Sequence, residues 1–382
     1  MAAPRVVFLT DIVTPYMVAV LSALARRVDL TALFCAQSGS RGADWAFAEG
    51  LPFRQRVLGG LAIRRRDHDG ADLYPSPRIL RALAAERPDV VISGAFSFPT
   101  LFAALYGRVT GARLVIHSDG TARSEREFGR LQLLARDRLL REASACVANS
   151  EPAAERFIAL GASAERVFRA PHTTNVAPLH ALARERFATA PADTTATVLH
   201  VGRLIPRKGV DRLLRAFAVA RQEVPLRLVL VGDGPEEPRL RALAGALGIA
   251  DAVDFRGFVD QPALPAVYGE ADIFAMPTLD DPFGIVLLEA AASGLPPIVS
   301  PFAGAGLDLI EEDENGYLIE PDDLDGWAHA LVALGRDPAL RRRLGERAYE
   351  KTLRRTPDSA AAGYASAVDA ALSLPRGVKR VR

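Results

Sequence analysis

The sequence predicts an α/β protein built from two doubly wound domains, each a parallel sheet with helices on both faces. Three observations carry this. Short runs rich in Val, Ile and Phe alternate with longer amphipathic runs, the rhythm of strand–helix–strand units. The alternation pauses over 173–194 and then restarts, so the chain divides in two. A length of 382 residues is long for one core and comfortable for two.

In the first half "RVVFLT", "LTALFCA", "DVVISG", "RLVIHS", "ACVANS" and "RVFRAP" read as strands. Between them "PYMVAVLSALARR", "PRILRALAAERP", "PTLFAALYGRVTG", "EREFGRLQLLARDRLLREA" and "EPAAERFIALG" carry helical spacing. The stretch 173–194 holds no strand and ends in a Pro/Asp/Thr cluster, which reads as a polar link. The second half then gives "TATVLHVG", "RLVLVG", "VDFRG", "DIFAMP", "PPIVS" and "GYLIE" as strands, with helices between. Ligands of such sheets bind at the carboxyl ends of the strands, expected here to face a cleft between the halves. The first domain is expected at 1–178 and the second at 195–357.

The formal net charge of +1 names no partner, and no nucleic acid is expected. The halves differ: residues 1–190 carry 25 Arg against 18 acids, whereas 191–382 are net acidic. A basic half can attract an anionic acceptor or an anionic membrane surface, although scattered arginines are the ordinary solvated surface of a protein. Cys35 and Cys146 lie in apolar runs and read as buried thiols of a reducing compartment. The N-terminus does not read as a secretory leader, because Asp11 interrupts a short apolar run. The charge-free stretches Val90–Gly107 and Ala290–Leu307 break at Gly and Pro, so no transmembrane helix is expected. The expected location is the cytoplasm, with peripheral contact at the inner face of the membrane left open.

The chemistry concentrates in three loops of the second half. "VGRLIPRKGV" places Arg203 and Lys208 between Gly202 and Gly209, in a chain that has only three lysines. Two cations beside a helix start suit a diphosphate, Arg as a fork and Lys as a compact point charge. "VGDGPEE" half-matches a dinucleotide fingerprint but lacks its third Gly, and reads as a tight turn. "PTLDDPFGIVLLEAAAS" carries Asp280 and Asp281, then opens a helix at Phe283-Gly284. The backbone N–H groups of Gly284, Ile285 and Val286 are orphan donors there. Glu289 lies among apolar residues, where a carboxylate needs partners; two ribose hydroxyls would satisfy both its oxygens.

These residues resemble the retaining glycosyltransferases of family 4, which have the GT-B fold. The acid–seven–acid pair Asp281–Glu289, the "FGIV" core at Phe283–Val286 and the loop with Gly202, Arg203, Lys208 and Gly209 carry the resemblance, supported by "FRGFV" and "NGYLIEPDD". The resemblance implies that Arg203 and Lys208 bind the diphosphate of a nucleotide-sugar donor and Glu289 its ribose. It places Asp281 near the sugar hydroxyls and Gly257, Phe258 and Val259 along the base. It also implies His117, in "RLVIHSDGT", as an active-site residue facing the sugar. A closing helix, about 358–382, is expected to return to the first domain. The family more often has Glu at the position of Asp281 and a Gly-Gly loop where this chain has "TDIVTPYM".

The candidate catalytic set is therefore His117, Asp281, Lys208 and Arg203. Asp11, Thr14, Gly94, Phe96 and Asp119 are candidates for the acceptor side. The expected partners are a nucleotide-sugar donor and a hydroxyl acceptor, with no cofactor and no metal. Asp67-His68-Asp69 matches an acid pair for metal only superficially, since it follows "RRR" in a polar loop. A non-catalytic sugar-nucleotide binder and a GT-B phosphorylase or isomerase stay open as alternatives. The Ala/Arg-rich, Lys-poor composition suggests a GC-rich bacterial source, compatible with polysaccharide, glycolipid or natural-product glycosylation.

Overall fold

Strand residues of alternating parity build two cores on either side of each sheet. In this computed structural model, which describes residues 3–12, 14–36, 50–60, 63, 73–126, 128–189 and 195–375, the chain forms two units. The first holds residues 1–175 and 356–382, the second 176–355.

The first unit runs β1 (Arg5–Ile12), α1 (Pro15–Leu24), β2 (Asp29–Ala36), β3 (Arg54–Val57), α2 (Arg78–Glu86), β4 (Val90–Gly94), α3 (Phe98–Thr110), β5 (Arg113–Ser118), α4 (Arg130–Glu142), β6 (Ala145–Ala148), α5 (Glu151–Ala159) and β7 (Val167–Arg169). Its seven strands are all parallel, in the order β3-β2-β1-β4-β5-β6-β7. Val6 and Phe8 face one side, with Leu21 and Leu24 of α1. Val7 and Leu9 face the other, with Leu83, Ala103, Leu140 and Phe157 from α2 to α5. A last helix, α14 (Pro357–Ser373), packs on the α1 side through Ala361, Tyr364, Ala367 and Val368.

The second unit runs α6 (Ala177–Ala188), β8 (Ala196–Val201), α7 (Val210–Ala220), β9 (Leu226–Val231), α8 (Glu237–Ala246), β10 (Val253–Gly257), α9 (Leu264–Gly269), β11 (Ile273–Met276), α10 (Ile285–Ala292), β12 (Pro297–Val299), α11 (Gly304–Leu309), β13 (Tyr317–Leu318), α12 (Leu324–Arg336) and α13 (Pro338–Thr352). Its parallel order is β10-β9-β8-β11-β12-β13. Val198 faces α7 and α12, while Leu199 faces α6, α9 and α10. Strand order reverses between β1 and β4 and between β8 and β11, the places where doubly wound sheets open for ligands.

Three details differ from the sequence reading. The supposed link contains α6, which buries Leu179 and Ala183, so the second unit begins at Val176 rather than at 195. β3, "RQRV", escaped notice because it is a polar strand at the sheet edge. α4 begins only at Arg130, after Gly129, whose N–H is taken by the Gln132 side chain at 2.9 Å. The Asp67–Asp69 cluster, residues 191–194 and the tail 376–382 lie outside the described residues. Cys35 and Cys146 are buried and unpaired, and burial raises both thiol pKa values, that of Cys35 to about 12. Among the described residues no helix is long and apolar enough to cross a membrane, and no three His, Cys, Asp or Glu group as metal ligands.

Candidate active site

In the second unit the predicted residues gather at the carboxyl ends of β8 and β11. β8 ends at Val201, and the loop 202–209 passes through one turn of 3-10 helix, Pro206–Lys208, into α7. That turn aims Lys208 at the β11–α10 loop, where its Nζ forms an ion pair with Oδ2 of Asp281. The neighbouring Arg207 donates from Nη1 to the Asp280 carbonyl at 2.7 Å. Its own carbonyl accepts from Leu279 N–H at 2.8 Å and from Thr278 Oγ1 at 3.1 Å, so the two loops are laced together. Burial alone would raise the Asp281 pKa. The charge and hydrogen bond of Lys208, with Arg207 nearby, outweigh burial and hold the carboxyl below its ordinary value.

Asp281 also braces the approach to α10, its Oδ1 accepting from Phe283 N–H at 3.2 Å. Gly284 stands at the N-cap of α10 with φ 85°, a left-handed conformation. That backbone conformation favours glycine, and a Cβ there would also push the end of the Met276 side chain, whose Cε would lie at 2.7 Å. The N–H groups of Gly284, Ile285 and Val286 have no partner among the described residues. One turn further Glu289 is 6% exposed. Its Oε2 accepts from the Tyr268 hydroxyl at 2.9 Å, and Oε1 has no partner among the described residues. Burial lifts the Glu289 pKa to about 7, and the Tyr268 bond only moderates this. One oxygen is thus already engaged, where the sequence reading left both to a ligand.

Arg203 is exposed and makes no ion pair among the described residues. The "GDG" turn acts as packing: a Cβ on Gly232, at φ 128°, would lie 2.0 Å from the Gly202 carbonyl oxygen. Gly232 N–H donates to the Gly257 carbonyl at 2.7 Å, so Gly257 borders the same loops. Phe258 beyond it is exposed and Val259 half-buried.

In the first unit the candidates line the ends of β1, β4 and β5. Asp11 belongs to β1, Thr14 stands at the N-cap of α1, and Gly94 ends β4. His117 pairs with Gly94 across β4 and β5, and a Cβ on Gly94 would lie 3.0 Å from Nε2 of His117. The His117 ring packs on Phe8 at 5.3 Å and its Nδ1 bonds the Tyr364 hydroxyl of α14 at 3.3 Å. Burial, helped by His172, pulls the His117 pKa down to about 4, against the opposing influence of Asp119 and Asn149. The imidazole is therefore neutral near pH 7. Phe96 stacks under Arg136 at 4.7 Å and beside Phe157 at 6.0 Å, and so serves packing. His172 rests against Tyr16.

Sequence reasoning missed Arg207, Tyr268 and Tyr364, the immediate partners of the named residues. Arg207 adjoins Lys208 and was within reach of inspection. Tyr268 and Tyr364 sit in helical patterns that mark them only as core. His200 was also missed. It is buried at the end of β8, bonds the Ala275 carbonyl through Nδ1 at 3.0 Å, and has its pKa lowered by burial to about 4.

Residues 4–173 match the family described as glycosyl transferase 4-like domain, and residues 183–351 match glycosyl transferases group 1. The chain is 35% identical over 214 residues to a lipopolysaccharide core biosynthesis glycosyltransferase of Rhizobium meliloti, covering 55% of this chain and 59% of that protein. It is 38% identical over 146 residues to a GDP-mannose-dependent alpha-(1-6)-phosphatidylinositol monomannoside mannosyltransferase of Mycobacterium tuberculosis, covering 36% of this chain and 38% of that one. The matched segments span between 18% and 59% of such curated relatives. Anabaena HepE in complex with UDP shares the fold at TM-score 0.76 and 21% identity, over 96% of this chain and 99% of that one. With both halves matched and the architecture shared, the chain belongs to the family-4-like glycosyltransferases of the GT-B fold.

Proposed function

We propose that this protein transfers a hexosyl group from a nucleotide-diphosphate sugar to an acceptor hydroxyl, with retention of configuration. The observation that carries the reading is the start of α10. There the ammonium of Lys208, brought from the β8–α7 loop by its pairing with Asp281, joins a stretch of chain that carries three unpartnered backbone amides and, one turn on, a buried carboxylate with one open oxygen. In this reading the diphosphate lies against Lys208, Arg203 and the amides of Gly284, Ile285 and Val286, and Glu289 Oε1 accepts from a ribose hydroxyl. Base contacts run along Gly257, Phe258 and Val259. The diphosphate shares Lys208 with Asp281, whose carboxylate then receives sugar hydroxyls.

As the sugar–phosphate bond breaks, negative charge grows on the leaving diphosphate. Fixed cations and amides placed at that point lower the barrier most. The acceptor oxygen bonds the same face of the sugar carbon and its proton passes to a phosphate oxygen. His117, neutral near pH 7, hydrogen-bonds the sugar or the acceptor, and Asp11, Thr14, Gly94 and Asp119 belong to the acceptor side. The reading calls on no metal, because Lys208 and Arg203 supply positive charge.

UDP in one structural relative and GDP-mannose in the name of one sequence relative set the donors to try first. UDP-, GDP- and dTDP-sugars are screened for thermal stabilisation, since a ligand at a hundred times its dissociation constant adds about 2.7 kcal/mol. With the donor found, Lys208→Ala and Glu289→Ala each lose most turnover while circular dichroism stays unchanged. Near-normal turnover in both variants refutes the site. Binding without any nucleotide release, even slow hydrolysis, points instead to a non-catalytic sugar-nucleotide binder.

A further inference from the structure

The outer face of α3 and α4 is apolar, basic and unpartnered. Both helices bury their inner residues in one cluster on the same side of the first unit's sheet, Ala103, Ala104 and Tyr106 from α3 and Leu139 and Leu140 from α4. An ion pair between Arg108 and Glu142 ties their carboxyl ends side by side. Their opposite faces therefore point away from the sheet together. A soluble face should be polar there. Instead, seven of the fifteen exposed large apolar side chains among the described residues fall on these two helices. Val109 is 80% exposed, Leu131 83% and Leu134 64%, with Leu101 and Leu105 continuing the stripe on α3. The charge-free run Val90–Gly107 supplies part of this stripe.

Cations frame the apolar residues. α3 and α4 carry five arginines against Asp137 and Glu142. Arg136 turns inward between Phe96 and Phe128 to buried Glu125. Arg141 pairs with Asp137 and Arg108 with Glu142. Arg130 and Arg138 have no acidic partner among the described residues and flank Leu131 and Leu134.

We propose that this α3–α4 face docks on an anionic lipid bilayer, the leucines and valine entering the headgroup boundary and Arg130 and Arg138 meeting lipid phosphates. Helices that lie on membranes combine apolar residues with arginine or lysine in this way. A second copy of the chain fits poorly, because a two-fold contact would set these arginines against each other. A protein partner fits less well too, since Leu and Val are under-represented among the residues that anchor such interfaces. The proposal stands apart from the donor site and survives or fails independently of it.

The test is co-sedimentation of the full chain with vesicles of phosphatidylcholine alone and of phosphatidylcholine mixed with phosphatidylglycerol. Binding is expected to the mixed vesicles only, and to weaken as salt rises. Arg130→Gln with Arg138→Gln should lower the partition coefficient roughly thirty-fold, about a factor of five per arginine. Leu131→Gln with Leu134→Gln should lower it roughly tenfold, while Leu353→Gln, an exposed leucine of the second unit, changes nothing. Unaltered circular dichroism and melting of these surface variants show that they fold. Equal binding to neutral vesicles, or no loss in either double variant, overturns the proposal. So does light scattering that shows a dimer which Leu131→Gln/Leu134→Gln converts to a monomer, for the face then belongs to a second copy.

Discussion

Glu289 is the residue at which stability and the proposed function pull apart. Its pKa rises from an ordinary carboxylate value of 4.5 to about 7 because it is buried with a single hydroxyl partner. A folded-state pKa above the unfolded one means stability fully present below about pH 4.5 and lost as pH rises through 7. The Glu289→Gln variant, always neutral, should be more stable than the parent at pH 8, by up to about 3 kcal/mol. Thermal melts at pH 6 and pH 8 check this: the gain appears at pH 8 and shrinks at pH 6. The same variant should bind nucleotide sugar poorly, since it lacks the acceptor charge offered to the ribose. Lys208 shows the complementary case. It is one of three lysines in an arginine-rich chain, a rarity visible in the sequence, yet its pairing with a residue 73 positions away is a product of loop packing.

At the scale of elements, α14 does more than close the chain. Its Ala360, Ala361, Tyr364, Ala367, Val368 and Ala371 are all buried in the first unit. Gly363 packs so closely that a Cβ would lie 2.0 Å from the Arg169 carbonyl, and Arg113 holds the end of the helix through the Leu374 carbonyl at 2.6 Å. A chain ending at Arg355 therefore uncovers the part of the first sheet that α14 covers, leaving α1 alone on that side. Limited proteolysis of that truncated chain should digest residues 1–175 and spare the second unit; equal resistance of both would contradict this role for α14. The return of a closing helix was legible from the resemblance, whereas α6 reads as a link. Its sequence "APLHALARERFA" shows almost no apolar periodicity, and only contact with α9, α10 and α13 makes it part of a core. The polar edge strand β3 is hidden for a similar reason: half its surface needs no apolar residue.

For the whole molecule, acid should weaken the first unit more than the second. His117 in the first and His200 in the second are each held near pKa 4 by burial, below the ordinary 6.5. A depressed folded-state value means stability present above pH 6.5 and lost as pH falls toward 4. Glu289 works the other way over 7 to 4.5 and offsets His200 within the second unit, so the net loss falls on the first unit. The first unit should therefore lose stability below about pH 6, while the second changes little. Titration followed by imidazole NMR signals checks the cause: two of the six histidines should stay neutral down to about pH 5. If all six titrate near 6.5, burial of these two rings is wrong.

Local period and composition determined a good deal about this protein without help. They set out two alternating α/β halves, the loops that end β8 and β11, and the cationic and acidic residues on them, because strand and helix periods and turn residues are written within a few positions. The tertiary structure alone decided the partners: Tyr268 for Glu289, Tyr364 for His117 across 247 residues, and Lys208 for Asp281. It also decided that α6 is core and that one face of α3 and α4 is left in water. Burial and long-range pairing depend on which surfaces meet, and that is a property of the folded sheet order rather than of any stretch of chain.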